Sequence, residues 1–305
     1  MIYTLTTNPA IDMNITSDTI STEHVNRTRD AVYTPNGKGL NVSFTLKHYG
    51  IDSTILGFFG GFSGDYIARE AARVCPVRPI RIDGITRVNV FLTTPEGEYK
   101  FPNAGARVNR AKQEEMLELI RGLDDLECLV VSGSLPAGID PAYYDELIDA
   151  AHEKGAEFVL DISHAHLREL VERQPLLIKP NDEEVAAIFG VDVKSEGDVV
   201  SALHAIHDAG AKNILLTLGR EGAYFFDGER VWHANAAKVD VLSTACAGDA
   251  TLASFLSLWL TDRTQVEPAL TRAMATGANV AMSAGLGDFA LVDQLAQSIR
   301  VEVVG

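Results

Sequence analysis

The segment "STACAGDATLASFLSLWL", residues 243–260, passes from small polar residues into a long apolar run, with Asp249 at the junction behind Cys246, Ala247 and Gly248. A helix that begins there leaves its first backbone N–H groups without intrahelical acceptors. Its dipole adds positive potential, so the turn suits an anion. A carboxylate in the same turn has two uses. Asp249 caps the helix, or it takes a proton from a hydroxyl that attacks whatever the turn holds.

Four other stretches carry comparable chemistry, each with a plain structural alternative. In "TPNGKGLN" (34–41), Gly37 and Gly39 flank Lys38 ahead of a predicted helix, which allows a ligand close to the backbone; a glycine turn that starts a helix explains the same residues. It is not a Walker A loop, because the glycine spacing differs and Gly39 follows the lysine. "SGSLPAG" (132–138) closes a predicted strand, where open α/β sheets bind ligands, or where the chain simply turns. In "KPNDEEVAAIFG" (179–190), Asn181 and Glu184 share one face of a first helical turn. They suit the water shell of Mg²⁺, or equally a capping box. "LTLGREGAYFF" (216–226) joins two strands through Gly219 and Gly222, as a hairpin or as a loop beside a nucleotide. The close histidine pairs, His164 with His166 and His204 with His207, belong to no zinc pattern.

These residues need a scaffold. "IYTLTTN", "STILGFFG", "CLVVSGS", "EFVLDIS", "LLIKPN", "NILLTLG" and "AYFFDG" read as strands. "LNVSFTLKHYG", "GDYIAREAARV", "AKQEEMLELIRGL" and "PAYYDELIDAAHEKG" read as helices between them. Continuous apolar strands alternating with helices predict an α/β fold, a three-layer sandwich around a mainly parallel sheet. "NRTRDAVYTPNG" and "TRVNVFLTTPEGEYKFPN" alternate polar with apolar and predict half-exposed antiparallel strands in a small separate sheet, a lid or a dimer surface. The length, 305 residues, suits two domains by size or one α/β unit; no linker or repeat divides it. The net charge of −16 argues against a general nucleic-acid or acidic-membrane surface and leaves room for a local basic pocket. Three widely spaced cysteines predict a reducing compartment without disulfides. With no signal-peptide pattern at the N-terminus and no apolar span of membrane length, the expected location is the cytoplasm.

Taken in order, "LTTNPAIDMNI", "VNR", "NGKGLNVS", "GFFGGFSGDYI", "TRVNV", "SGSLPAG", "KPNDEE", "LTLGREGA" and "ACAGDA" resemble the ribokinase-like (PfkB) carbohydrate kinases over essentially the whole chain. "NPAID", "VNR" and "TRVNV" resemble the branch of 1-phosphofructokinases and tagatose-6-phosphate kinases. The resemblance implies one kinase domain over 1–305, with lid strands from about 12–35 and 86–106 that pair subunits into a homodimer. It implies transfer of the γ-phosphate of Mg²⁺-bound ATP to a primary hydroxyl of a phosphorylated ketohexose, first fructose 1-phosphate, with tagatose 6-phosphate and fructose 6-phosphate as alternatives. Asp249 would be the base, with the N–H groups of Cys246, Ala247 and Gly248 holding the transferring phosphoryl group. Asp12, Gly37, Lys38, Gly39 and Asn41 would bind the sugar, and Arg27, Arg87 and Ser132 its phosphate. Asn181 and Glu184 would order Mg²⁺ through water. Lys179, Thr217, Gly219 and Gly222 would border ATP, with Asn279 and Ser283 near the adenine.

Three departures stand out. The family's Gly-Ala-Gly-Asp is "CAGD" here, so a left-handed Cys246 would cost about 1–2 kcal/mol. Asn36 replaces the first glycine of Gly-Gly-Lys-Gly, and "LDISHAH" replaces Asp-Thr-Ser-Gly. They leave two rivals: a weakly active sensor that binds sugar phosphate and nucleotide, and a kinase for an unphosphorylated sugar or nucleoside.

Overall fold

The computed structural model describes residues 1–305. Seven strands, β1 (Ile2–Thr6), β4 (Ser53–Gly60), β5 (Val77–Ile82), β8 (Cys128–Ser132), β9 (Glu157–Asp161), β10 (Leu177–Ile178) and β11 (Ile214–Thr217), run parallel, all largely buried except β5 at the edge. Three antiparallel strands, β12 (Ala223–Phe226), β13 (Val231–Ala234) and β14 (Val301–Val303), extend the sheet to ten, in the order β14-β13-β12-β11-β10-β9-β8-β1-β4-β5. The β11–β12 hairpin turns through Gly219–Glu221. There Gly222 has φ +98°, and a Cβ would stand 2.0 Å from the Ala234 carbonyl oxygen, so only glycine fits.

Helices cover both faces of this sheet. One face carries α3 (Arg110–Arg121), α4 (Tyr143–Glu153), the short α5 (Leu167–Leu170) and α7 (Glu196–Asp208). The other carries α1 (Lys38–His48), α8 (Ala247–Trp259), α9 (Val266–Ala281) and the short α10 (Val292–Ala296). The expected three-layer α/β/α sandwich is therefore the observed architecture. On the second face Phe255 and Trp259 of α8 stack with Phe225 of β12, their ring centroids 4.8–5.5 Å apart. Each such fully buried side chain contributes about 1.5–3 kcal/mol, and together they fix the axis along which α8 points its N-terminus at the sheet edge.

A second sheet has four strands, β2 (Ala10–Thr16), β3 (Arg29–Asn36), β6 (Val88–Thr94) and β7 (Gly97–Phe101), in the order β3-β2-β6-β7. Its outer pairs are antiparallel, as the alternating pattern predicts, but β2 and β6 run parallel, so the sheet is mixed. Their alternation reports half-burial and cannot report direction; the chain reaches β6 only after crossing the main sheet through β4 and β5. Helix α2 (Gly61–Ala71) packs against β4 and the small sheet. No helix is long and apolar enough to cross a membrane.

Candidate active site

Strands β1, β8 and β9 end at one level, with Thr6, Ser132 and Asp161 in register. The N-termini of α1 and α8 converge on this carboxyl edge. Helix α1 comes this close because Gly39 has no side chain: a Cβ there would lie 2.4 Å from Thr6 Oγ1 and 2.9 Å from the Leu5 carbonyl. Ser132 is buried and its Oγ meets no partner in the protein.

The electrostatic centre is Asp161, whose side chain is fully buried. Lys38 Nζ and Lys179 Nζ both reach its Oδ1, at 3.2 and 3.1 Å. Burial pushes the Asp161 pKa up, but the two lysines outweigh it and hold the carboxylate below its ordinary value. Burial likewise disfavours the Lys38 charge, yet Asp161, Asp249 and Glu184 reverse that, and its pKa is raised.

Helix α8 starts at Ala247, with Cys246 as its N-cap residue. Asp249 is therefore the third residue of the helix rather than its cap, the reading that the isolated segment favours. Its carboxylate caps nothing; it is 6% exposed and accepts a hydrogen bond from Asn41 Nδ2 at 2.8 Å. Burial first, then the nearby Asp161 charge, push its pKa up to about 6, with Lys38, Asn41 and Lys179 opposing. The N–H groups of Cys246, Gly248 and Asp249 have no acceptor in the protein, while that of Ala247 leans to the Thr244 carbonyl at 3.4 Å. A Cβ on Gly248 would lie 3.5 Å from Lys179 Nζ, so the amides and the ammonium face one volume. Free donors, a helix dipole and two lysines make this an anion site.

On the small-sheet side, Asp12 accepts from Asn89 Nδ2 at 2.8 Å and from Asn36 Nδ2. Arg87 lies close to Asp12, donating to the carbonyls of Asn8 and Pro9 at 3.0 and 3.4 Å. Burial lowers its pKa and Asp12 opposes the shift. Arg27 sits apart, in the exposed stretch after β2, and its guanidinium makes no hydrogen bond or ion pair. Gly37, at φ +152°, precedes α1, and a Cβ there would meet Thr6 Cγ2 at 2.5 Å.

Toward β11, Asn181 and Glu184 form the capping box of the short α6 (Asp182–Glu184), and Ser163 also donates to the Glu184 carboxylate. Thr217 bridges to Asn181. Asn279 is buried in α9, where its Oδ1 accepts from the Leu291 N–H at 2.9 Å; Ser283 follows that helix. The end of α9 borders the loop into α8, since the N–H groups of Leu242 and Ser243 both donate to the Ala281 carbonyl.

Two participants lie inside quoted motifs, Asp161 in "LDISHAH" and Asn89 in "TRVNV", but receive no role from them. Asp161 is an acid closing the apolar strand "EFVLD", in register with Ser132, and that position is the signal that could have found it. Asn89 hides in the alternation of β6.

The fold and site define a sugar-phosphate kinase. The pattern of the pfkB family carbohydrate kinases matches residues 5–292, and the chain belongs to that family. It is 45% identical to a D-tagatose-1-phosphate kinase of Klebsiella oxytoca over 99% of both chains. It is 31% identical to the 1-phosphofructokinase of Bacillus subtilis, again over 99% of both. Phosphofructokinase-2 of Escherichia coli, solved with substrates and products, superposes with a TM-score of 0.89 at 27% identity, covering 97% of this chain and 98% of that one. The activity is that of a ketohexose-phosphate kinase.

Cys246 has φ +64°, the left-handed region that a glycine occupies without steric cost. Burial, with Asp249 and Asp12 nearby, pushes its thiol pKa up to about 12, so the sulfur stays protonated and a poor nucleophile. We predict that Cys246→Gly gains about 1 kcal/mol in urea unfolding by removing this strain. Its kcat should stay at or above that of the parent protein; a large loss would give the thiol a positive role.

Proposed function

We propose that the chain phosphorylates the 6-hydroxyl of a ketohexose 1-phosphate at the expense of ATP, with Asp249 as the base. The observation that carries this is a buried carboxylate with its pKa near 6, in the first turn of α8, beside free amides and the Lys38–Lys179 pair. A base poised near neutrality takes the hydroxyl proton as the oxygen attacks the γ-phosphorus and the bond to the departing ADP oxygen breaks. The amides of Cys246, Gly248 and Asp249, helped by Ala247, stabilise charge on the transferring group, and Lys38 and Lys179 neutralise its surroundings.

Asp12, with Asn41, Gly37 and Gly39 lining its pocket, orients the sugar, while Arg87, Arg27 and Ser132 are assigned to its existing phosphate. Lys179, Thr217, Gly219 and Gly222 border the nucleotide, and Asn279 and Ser283 shape the adenine end. No three His, Cys, Asp or Glu side chains form a metal cage. That donor set fits Mg²⁺, which keeps its waters and is held largely by nucleotide phosphates, with Glu184 and Asn181 acting through water. When bound, the ion neutralises phosphate charge. The small sheet serves as a lid of this single kinase unit, excluding water.

Among ketohexose 1-phosphates, the 45% identity to a D-tagatose-1-phosphate kinase favours D-tagatose 1-phosphate. Fructose 1-phosphate, the first expectation from the sequence, is its C4 epimer and is the second reading, supported by the 31% identity to a 1-phosphofructokinase. A coupled ADP assay with tagatose and fructose 1- and 6-phosphates tests this. The highest kcat/KM should fall on a 1-phosphate; preference for a 6-phosphate or for free sugar overturns the substrate assignment, and ligand binding without ADP release overturns catalysis.

Asp249→Asn should lower kcat by about 10²-fold or more with little change in ATP affinity. The parent kcat/KM should fall on the acid side with a midpoint near pH 6. Because folding raises this pKa from 3.8, the folded state holds the proton more tightly, and Asp249 costs stability as pH rises through about 6. Asp249→Asn should therefore be more stable than the parent at pH 7.5, by about 1–3 kcal/mol in urea unfolding.

The lid sheet also supports a homodimer. Its edge strands β3 and β7 are exposed, with Val32 56%, Tyr33 51% and Phe101 51% accessible. Such an edge calls for cover. Light scattering should show a dimer that Val32→Asp converts to monomer; a monomeric parent, or a variant that stays dimeric, excludes this interface.

A further inference from the structure

Asn36 ends β3 where the family pattern has glycine, yet it is not among the residues with positive φ, so its backbone does not require glycine and its side chain is free to act. That side chain joins two carboxylates. Asn36 Nδ2 donates to Asp12 Oδ2, while Asn36 Oδ1 accepts from Asn41 Nδ2 at 2.9 Å and from the Gly37 N–H at 2.6 Å. Asn41 Nδ2 in turn donates to Asp249 Oδ2 at 2.8 Å and leans to Cys246 Sγ at 3.3 Å. An ionised carboxylate only accepts. With one at each end of the chain, both amides have a single consistent orientation, N–H₂ toward the acid in each case.

We propose that Asn36 is a positioning residue: it locks the Asn41 amide with its donors toward Asp249, and so links the sugar-side carboxylate Asp12, on the lid sheet, to the base. The inference rests on Asp249 being that base. Remove the Asn36 acceptor and the Asn41 amide answers to Asp249 alone: its N–H₂ still favours the carboxylate, but nothing else fixes its rotation, and the hydrogen bond loosens. The sheet side of the link is anchored in turn, because Asn89 holds Asp12 Oδ1 at 2.8 Å and accepts from the Asn103 N–H at 3.1 Å.

The groups that face Asp249 are known from every element around it: Lys38 and Asn41 on α1, Asp161 on β9, Lys179 after β10, and Cys246 in its own turn, with Asp12 beyond the thiol. Of these, Asn36 touches Asn41 and Asp12, and of that pair Asn41 is the one hydrogen-bonded to Asp249. Loosening its hydrogen bond to the ionised form moves the acid limb of the kcat/KM profile to higher pH. A mere packing defect would leave that limb in place.

The test is a double-mutant cycle in the full chain, with ATP, Mg²⁺ and whichever ketohexose 1-phosphate turns over fastest. Asn36→Gly should lower kcat by about tenfold, leave the KM for ATP unchanged and raise the acid midpoint by about half a unit. In an Asn41→Ala background the same substitution should add little to either effect. Circular dichroism and urea unfolding confirm that each variant folds. A parental kcat and acid limb in Asn36→Gly, or fully additive losses with Asn41→Ala, would overturn the role. If Asp249→Asn is inactive while Asn36→Gly behaves as the parent, only this inference fails; if Asp249→Asn retains kcat, the base assignment fails first and takes this with it.

Discussion

Two carboxylates and two lysines meet in a buried space at the end of the parallel sheet, and their charges are shared unequally. Asp161 takes both ammonium groups on one oxygen. Asp249, a short distance away, is left with an amide hydrogen bond and the repulsion of its neighbour. The same burial therefore produces opposite results: one acid is held ionised as a counterion and the other is driven toward neutrality. Pairs of acids whose surroundings separate their pKa values divide their chemical labour. Asp161 keeps the lysines charged at an anion site, and Asp249 is the group free to exchange a proton. Without Asp161, Lys179 would lose its ion-pair partner in a buried place, and Lys38 would lose the largest of the charges that offset its desolvation.

The scaffold makes this arrangement possible by bringing two helix starts to one place. Helix α1 descends onto β1 because Gly39 lets backbone meet backbone, and α8 is held by its aromatic contacts with β12. Both helices point their positive ends at the edge where strands β1, β8 and β9 stop in register. A chain with a net charge of −16 thus gathers two lysines and two helix N-termini where a phosphorylated ligand would bind. At contact distance, low-dielectric walls and two lysines outweigh the surface charge, which acts mainly through screened, longer-range fields.

The main sheet was legible where a strand is a short apolar run beside a helix; β5, β13 and β14, toward the two ends of the sheet and carrying Arg78, Arg81, His233 and Glu302, do not read as strands from their sequence. Strand direction in the small sheet was not legible: β2 and β6 alternate as antiparallel strands do, and their parallel pairing depends on where the intervening chain crosses. Lys179, between Ile178 and Pro180, enters only through the family resemblance, but Asp249 and Lys38 stand out in the sequence because glycines and small residues flank them. Asp161 does not, since one acid at the end of an apolar strand means nothing until its register with Ser132 and its two lysines are known. The Asn181–Glu184 pair shows the opposite difficulty. Its capping box is real and occupies the Glu184 carboxylate, so the proposed ordering of an ion through water has to coexist with the cap.

The two departures from the family pattern that look unrelated in sequence, Asn36 and Cys246, meet in space at the same nitrogen. Asn41 Nδ2 has two hydrogens and three acceptors, Asn36 Oδ1, Asp249 Oδ2 and Cys246 Sγ, of which sulfur is the most distant. With glycine at both positions, two of those acceptors vanish and the amide answers to Asp249 alone. The departures therefore act on one degree of freedom, the rotation of a single amide beside the carboxylate. Asn36 constrains it through a short hydrogen bond at no backbone cost. Cys246 constrains it weakly and at the expense of a left-handed backbone. On that balance Asn36 is the substitution whose side chain carries a function, and Cys246 is tolerated because its thiol stays protonated and its hydrogen bond offsets part of the strain.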